Sequence, residues 1–532
     1  MSRRSTVLLV VVVAGVVVAG LAVLLRNGGD GLPSETTVAV EEGGSTAASV
    51  ASSSIPESTS AAIDLPADAG APGIGDSLYA RLGNGGYDAL HYLLDVTFNP
   101  NSGTLAGSAT MTAAATQRLG AFNLDMAALL ATSVTVDGEP AEFRQENFEL
   151  IVVPAAAIAD GSTFEVVVEY GGLPTRFASA ALPERIGWFG EGNSVYVMAE
   201  PDASSSWFPV NDHSLDKATY TVRIGVPPPL TAASNGVLVE TTQEGANTVF
   251  VFQHEHPMAP YLVALGIGEL ELIESESPGG LPIRDYIDID VSDGVREAFA
   301  RQGEMVEFFQ DLFGPYPFEN YGALVIESQI GSFAALETQT LSTFPVGKGA
   351  EQYEEFIVAH EVAHQWFGNS VTVADWSDIW LNEGFATYAE WLWSAHAAGL
   401  DGPESEVREM YALVSGQQFV DSGLPLAQVR DLVDENFPPI GAPPSGNLFN
   451  GAVYLRGGIT LHALRLEVGD EAFFDGLRQY ASRFAYGNVT TEDFIGVMEE
   501  ISGQDLEPFF DRWLFADQMP AIPALGLVPP EL

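Results

Sequence analysis

The sequence predicts a protein of the α+β class, in which an N-terminal antiparallel β domain precedes a mainly helical domain. With 532 residues, the chain is too long for one compact core. Alternation of apolar and polar residues dominates up to about residue 273, and helical periodicity dominates after about residue 282. The hydrophobic content of 46% and the aromatic content of 10% are typical of chains that fold.

The first 26 residues contain an apolar run at residues 7–25, which follows Arg3 and Arg4 and ends at Arg26. A run of this length is about enough to span a bilayer as a helix, and the basic flank favours a cytoplasmic N-terminus. Its length favours an uncleaved signal anchor over a cleaved signal peptide. We therefore expect a cell-membrane protein with an extracytoplasmic main part, and the alternative is secretion after cleavage.

Residues 27–75 are rich in Ser, Thr, Ala, Gly and Pro and lack apolar periodicity, which predicts a disordered linker. Residues 76–273 form the predicted β domain. Strict alternation at residues 218–226 indicates a half-buried strand, and residues 164–170 indicate another. The dipeptides Asp137-Gly138 and Asn235-Gly236 are typical of hairpin turns.

The remaining residues, 274–532, form the predicted helical domain. Helices are expected at residues 351–369, 378–398, 471–485 and 491–501. The last of these has Thr490 and Asp493 at the spacing of a capping box, and Gly503 follows as a stop signal.

The chain carries 72 acidic and 21 basic residues, a formal net charge of -51. Such a surface repels nucleic acid and attracts cationic peptides and divalent metals. The acidic surface is interpreted as one that keeps the protein soluble. A more specific hypothesis is that the surface is adapted to high salt. The absence of cysteine excludes disulfides and thiolate metal ligands.

The strongest local signal is the pentapeptide His-Glu-Val-Ala-His at residues 360–364. Side chains four positions apart lie on one face of a helix, so the imidazoles of His360 and His364 can both reach one cation. Two histidines and one carboxylate form a known catalytic zinc set, and Glu383 on the following helix is the expected third ligand.

Three further acidic or polar residues have expected roles at this site. Glu361 is adjacent to the ligands and placed to act on water as a general base. Thr387 and Glu390 lie four and seven residues after Glu383, on the same helix face, and are expected to orient the ligands. By contrast, His254 and His256 have no third ligand nearby in sequence and are interpreted as residues of an acid-rich strand edge.

These motifs resemble the gluzincin zinc aminopeptidases, the family of membrane alanyl aminopeptidase, over residues 75–514. The resemblance implies a saddle-like β domain, a thermolysin-like catalytic domain and one zinc ion per chain. Many members add a C-terminal helical domain. Only about eighteen residues follow Leu514, so a short form without that domain is expected.

The resemblance also implies two acids that bind the substrate. Residues 334–338 read Ala-Ala-Leu-Glu-Thr where the family carries Gly-x-Met-Glu-Asn, which implies that Glu337 binds the free α-ammonium group. Residues 200–218 resemble a segment of the family's β domain, which implies that Glu200 is a second amine-binding acid. The family's usual arginine is replaced there by the serines at 204–206.

Residues 453–458 resemble the family's tyrosine segment, which implies that Tyr454 donates its phenol to the oxyanion of the tetrahedral intermediate. The expected activity is removal of N-terminal amino acids from peptides with a free N-terminus. A zinc endopeptidase on the same scaffold is the first alternative, and a non-catalytic surface protein is the second. The intact Glu361 disfavours the second alternative.

Overall fold

The computed structural model describes residues 65–191, 193–328 and 335–532, together with the backbone of two paired short strands, Val12–Val13 and Val16–Val17. Apart from those four valines, the predicted membrane anchor and the linker up to residue 64 lie outside the described residues. Within the part of the chain that is described, no helix is both long and apolar enough to cross a membrane.

The first domain is built almost entirely from strands, as predicted. In chain order these are Tyr87–Asn99 (β1), Thr104–Ala115 (β2), Phe122–Asp125 (β3), Leu130–Val136 (β4), Glu139–Pro140 (β5), Glu142–Glu146 (β6), Glu149–Val153 (β7), Thr163–Gly172 (β8), Arg176–Ala178 (β9), Arg185–Glu191 (β10), Ser194–Met198 (β11), Ala218–Val226 (β12), Thr231–Ala233 (β13), Val237–Glu244 (β14), Asn247–Met258 (β15) and Gly266–Gly268 (β16).

These strands form three sheets. The largest has eight strands in the order β14-β15-β12-β1-β2-β8-β4-β5, the second has the order β9-β10-β11-β16-β13, and the third has the order β3-β7-β6. The predicted strand at 218–226 is β12, and its buried and half-buried residues alternate over most of its length. One pair departs from the antiparallel prediction: β12 runs parallel to β1, with Tyr220 opposite Tyr92. The many strands between them supply the long crossover that parallel pairing requires.

The two predicted turns behave differently. Asp137 and Gly138 both have positive φ and join the paired strands β4 and β5, as expected for a hairpin turn. Asn235 and Gly236 instead carry the chain from β13 in one sheet to β14 in another, so the predicted hairpin is wrong there. The Asn235 side chain is buried and bonds to the backbone of Leu262 and Ala264, which fixes this crossing.

The second domain opens with a four-stranded sheet rather than a helix. Its strands are Leu270–Glu276 (β17), Pro282–Asp288 (β18), Ala323–Ser328 (β19) and Ser342–Gly347 (β20). β17 and β18 are antiparallel, whereas β18, β19 and β20 are parallel. β19 and β20 are buried almost throughout, so they lack the alternation by which strands are recognised in a sequence.

Eleven α-helices, three short 3₁₀-helices and one further pair of short strands complete the described part of this domain. The helices are Asp293–Arg296 (α1), Gln302–Phe313 (α2), Glu355–Ala363 (α3), Trp380–Ala397 (α4), Glu404–Val414 (α5), Gln417–Asp421 (α6), Leu426–Asn436 (α7), Gly451–Val468 (α8), Asp470–Arg483 (α9), Thr491–Ser502 (α10) and Glu507–Phe515 (α11). The strands Thr372–Val373 (β21) and Asn488–Val489 (β22) pair in parallel.

The predicted helices are present, with one shorter than expected. α10 carries the capping box of Thr490 and Asp493 and ends at Gly503, which has φ +68°. α3 begins four residues later than predicted and ends at Ala363 rather than at residue 369. The chain turns sharply after α3 because Gly368 takes φ +121° and donates to the carbonyl of Val371.

The two domains share one continuous apolar core. A polar contact also joins them: the ammonium of Lys217, just before β12, donates to the carbonyls of Asn369, Ser370 and Gly487 at 3.0, 3.1 and 2.9 Å. These three carbonyls belong to the loops that flank β21 and β22. Lys217 therefore fixes the position of the β domain relative to the turn after α3.

Candidate active site

Three predicted metal ligands come together between α3 and α4. Nε2 of His360 lies 3.3 Å and Nε2 of His364 lies 3.5 Å from the same oxygen, Oε2 of Glu383. Their ligand atoms all lie within 4.8 Å of one another, and all three side chains are buried. Two neutral imidazoles and a carboxylate at these spacings form a donor set suited to a zinc ion.

Local structure places each of these ligands. His360 lies in the last turn of α3, and His364 keeps helical dihedral angles as the residue that caps it, so both rings project from one face. Glu383 lies in the first turn of α4, where the positive end of the helix dipole stabilises a carboxylate.

The outer nitrogens of both histidines have partners. Nδ1 of His360 lies 3.2 Å from Oε2 of Glu390, and Nδ1 of His364 lies 2.9 Å from the carbonyl oxygen of Phe367. Each contact directs Nε2 towards Glu383 and fixes the ring orientation. Glu390 therefore contacts a ligand, as the sequence predicts. Thr387 was also expected to orient the ligands, but its methyl packs beside Gly458.

Glu361 lies next to the same group of ligands. Its carboxylate, that of Glu337 and a ring nitrogen of His364 lie within 4.8 Å of one another. Glu361 is buried, and its Oε2 has no hydrogen-bond partner among the described residues. Burial raises the pKa of Glu361 well above its usual value, and the negative charges of Glu337 and Glu383 add to this while His364 opposes it.

The segment that carries Glu337 is held by residues that the sequence did not single out. The backbone carbonyl of Glu337 accepts hydrogen bonds from Nδ2 of Asn369 at 2.7 Å and from Nε2 of Gln365 at 3.3 Å. The hydroxyl of Tyr261 lies 3.4 Å from Oε1 of Glu337 and the same distance from the carbonyl of Gly368. Gln365 directly follows the histidine motif, but no sequence signal points to Tyr261.

Glu200 and Tyr454 border the same space. The ring of Tyr454 lies 6.1 Å from that of His360, centroid to centroid. Burial, with the charges of Glu383 and Glu200, raises the pKa of Tyr454 well above its usual value, so its phenol stays protonated and can donate. Oε1 of Glu200 is buried without a described partner, and the pKa of Glu200 is raised by burial and then by Glu337.

The site therefore concentrates negative charge. Burial acts to lower the pKa of His360, but hydrogen bonds to Glu383 and Glu390 outweigh it and raise the pKa to about 9. Burial acts to raise the pKa of Glu383, but the neighbouring His364 and His360 bring it down to about 2. The same carboxylates that favour positive charge on these imidazoles also favour a divalent cation held between the imidazoles and Glu383.

The second histidine pair gains a partner that is distant in sequence. Glu319 lies 3.5 Å from Nδ1 of His254 and 3.3 Å from Nε2 of His256, through different carboxylate oxygens. Among the described residues, only the two groups around His364 bring three ligand atoms within 4.8 Å. Glu319 thus joins His254 and His256 in one polar cluster at the end of β15.

Comparison with known proteins agrees with this arrangement. Residues 88–262 match the Peptidase M1 N-terminal domain, and residues 297–513 match the Peptidase family M1 domain. The M1 zinc metallopeptidase from Deinococcus radiodurans superposes with a TM-score of 0.75 at 31% identity, over 85% of this chain and 99% of that one. A variant of it has been solved with a Tyr-Ser-Ala substrate. The chain belongs to peptidase family M1.

Curated relatives align over part of their length. Aminopeptidase N of Streptomyces lividans is 32% identical over 56% of this chain and 35% of its own length. Aminopeptidase M1 of Arabidopsis thaliana is 28% identical over 62% of this chain and 38% of its own length. The chain thus spans between a third and two fifths of the length of these relatives.

Proposed function

We propose that this chain is a zinc aminopeptidase that removes single residues from the free N-terminus of peptides. One observation carries the proposal: Glu337 and Glu361 lie within 4.8 Å of a ring nitrogen of His364, which also belongs to the group with His360 and Glu383. An anion for the substrate's amine, a general base and a metal-binding set therefore share one small buried space.

The residues present fit a zinc ion. His360, His364 and Glu383 would hold it, and Glu390 and the Phe367 carbonyl fix the two imidazoles. A zinc ion bound there supplies a Lewis acid that polarises the scissile carbonyl and makes water a stronger acid. We infer one ion per chain, because the second possible group of ligands shares His364 with the first.

The amine anchor explains why cleavage would stop after one residue. In a peptide, the N-terminal nitrogen is about 2.5 Å from the carbonyl carbon of the same residue, given standard bond lengths and angles. An ammonium held by Glu337 therefore brings the first peptide bond, and no later one, next to the ligands. Glu200, whose buried Oε1 has no described partner, offers a second acceptor for the same ammonium.

The chemical steps fall to two further side chains. Glu361 accepts a proton as water attacks the carbonyl carbon, and then delivers a proton to the departing amine. Its free Oε2 and raised pKa suit both roles, since the protonated form must persist long enough to act as an acid. The Tyr454 phenol donates to the oxygen that becomes negative in the tetrahedral intermediate.

A comparison of two peptides tests the proposal. We expect the zinc-loaded protein to cleave Tyr-Ser-Ala after its first residue and to leave the N-acetylated tripeptide intact. Equal cleavage of internal bonds in N-blocked peptides would identify an endopeptidase, and no cleavage of either would leave a non-catalytic protein.

Two variants separate the roles of the acids. Glu361→Gln should retain zinc and lose turnover by at least about 100-fold, the usual size of general acid–base catalysis. Glu337→Gln should also retain zinc, but it should raise KM for free-amine peptides and remove the preference for them. A variant at Glu361 with full activity would contradict its role as the base.

A further inference from the structure

The helices α4 and α8 touch through glycine. Gly384, next to the predicted ligand Glu383, lies against Gly457 on α8. A Cβ atom placed on Gly384 would stand 2.8 Å from Cα of Gly457, and one placed on Gly457 would stand 2.7 Å from Cα of Gly384. Real Cβ atoms essentially never approach other atoms this closely, and the opposing atoms here are backbone, which cannot turn aside.

The contact lies beside the reacting groups. Tyr454 and Gly457 are three residues apart on α8 and therefore share one helix face. On α4, Gly384 directly follows Glu383. The distance between the two helix axes at this crossing thus determines how far the Tyr454 phenol stands from the carboxylate of Glu383.

A neighbouring face of α8 is also held in place. The guanidinium of Arg456 is buried and donates to the carbonyl of Trp513 at 2.8 Å and to that of Ala516 at 2.7 Å. These bonds tie α8 to the end of α11. Because α4 packs against one face of α8 and this anchor holds a neighbouring face, a side chain added at Gly457 would displace α8 and Tyr454 with it.

We propose that Gly384 and Gly457 are positioning residues, which set the spacing of α4 and α8 so that Tyr454 reaches the oxyanion. The inference rests on the proposed function of Tyr454. Glycine inside a helix is destabilising relative to alanine. The exclusion of a side chain at this crossing gives a physical reason for the glycines at both positions.

The magnitude of the effect follows from geometry. An ordinary van der Waals contact begins at 3.4 Å, so a methyl group at Gly457 must push the helices apart by more than about half an ångström. A displacement of about 1 Å at a catalytic group can cost on the order of 100-fold in rate. We expect Gly457→Ala to lower kcat by about 10- to 100-fold while KM changes little, since Glu337 lies outside both helices.

The decisive test is a double-mutant cycle in the zinc-loaded full chain. Gly457→Ala is made alone and together with Tyr454→Phe, and Gly496→Ala is the control, because a Cβ atom on Gly496 of α10 would meet nothing within 4 Å. We expect Gly457→Ala to lower kcat when Tyr454 is present and to cost little more once the phenol is removed. Equal losses in the two backgrounds would overturn the proposal, as would an unchanged kcat.

A binding measurement gives a readout that does not require turnover. A phosphinic dipeptide analogue mimics the tetrahedral intermediate, and its Kd should rise in Gly457→Ala in the same Tyr454-dependent way. If the unaltered protein is inactive with zinc bound, the proposed function fails while this binding cycle still decides the positioning role. A Kd that Gly457→Ala leaves unchanged, or raises equally without the phenol, would overturn that role.

A milder variant covers the case in which Gly457→Ala does not fold or does not bind zinc. A Cβ atom on Gly458 would meet the ring of Trp391 at 2.9 Å, a side chain rather than backbone. Gly458→Ala should therefore show the same dependence on Tyr454 with a smaller, severalfold loss of kcat. A loss that is independent of Tyr454 would overturn the proposal.

Discussion

Nδ1 of His360 lies 3.2 Å from Oε2 of Glu390, seven residues beyond Glu383 on the same helix. One face of α4 thus provides both a metal ligand and the acid that orients another ligand. Because a helix is stiff over two turns, any motion of α4 carries both carboxylates together, and the geometry of the site is preserved.

Replacing Glu390 should weaken metal binding without removing a ligand. Glu390→Gln keeps the size of the side chain but removes the charge that orients and polarises the imidazole of His360. We expect zinc affinity to fall by about tenfold, as is typical for partners of metal-bound histidines. Competition with a chelator measures the change, and Glu409→Gln, at an exposed position on α5, is the control. Unchanged affinity in Glu390→Gln would contradict the orienting role.

Tyr261 should affect substrate binding more than catalysis. Its hydroxyl is 3.4 Å from both Oε1 of Glu337 and the Gly368 carbonyl, and its one proton cannot serve both fully. A net hydrogen bond of about 0.5–1.5 kcal/mol predicts that Tyr261→Phe raises KM for free-amine peptides about 2- to 10-fold. Steady-state kinetics measure this. Tyr411→Phe removes a comparable bond to the Pro520 carbonyl, far along the chain, and should leave KM unchanged.

Those residues mark the limit of what the sequence could predict about the site. His360 and His364 were predictable because their spacing is local, and Glu383 because it follows within one helix–turn–helix segment. Tyr261 is 76 residues from Glu337, and only the fold brings them together. Asn369 was assigned to the end of a helix, whereas the turn after α3 brings its amide to the Glu337 carbonyl.

The fold shows the same division. Strand β12 was predictable because one of its faces is more exposed than the other, and α10 because its capping residues are local. Strands β19 and β20 are buried almost throughout, so their residues carry no alternation. The turn at Asn235 was predicted to be a hairpin because the Asn-Gly dipeptide favours the backbone conformation of such a turn. The dipeptide does not determine whether the strands before and after it pair with each other.

Buried acids should make stability fall as pH rises. Burial raises the pKa of Asp212 to about 7 and that of Asp202 and Asp285 to about 6. An acid whose pKa is raised by folding stabilises the protein below its unfolded pKa, and this contribution is lost as pH rises through the folded pKa. For Asp212, the window runs from about pH 4 to about pH 7, and the loss is about 2–4 kcal/mol.

Urea unfolding of the zinc-free protein at several pH values tests this prediction. Asp212→Asn removes the titrating group and keeps the acceptor for the Ser205 amide. The variant should gain stability relative to the unaltered protein as pH rises from 4 to 7. A difference between the two that stays constant with pH would show that Asp212 does not titrate in this range.

Replacing Lys217 should lower the free energy of unfolding far more than replacing Lys348, the only other lysine. Lys217→Met leaves the carbonyls of Asn369, Ser370 and Gly487 without their donor, and we expect a loss of about 3 kcal/mol. Lys348, with a side chain that is 65% exposed, pairs with Glu327 at the surface, and Lys348→Met should cost at most about 1 kcal/mol. Equal losses in urea unfolding would contradict the role of Lys217 between the domains.

Metal content measured together with hydrolysis tests the central claim most directly. We predict one zinc ion per purified chain, loss of peptide hydrolysis on chelation, and recovery on adding zinc back. His360→Ala and Glu383→Ala should each abolish stoichiometric binding. A protein that carries no stoichiometric zinc, or that cleaves free-amine peptides equally well after chelation, would contradict the convergence of His360, His364 and Glu383 on a catalytic cation.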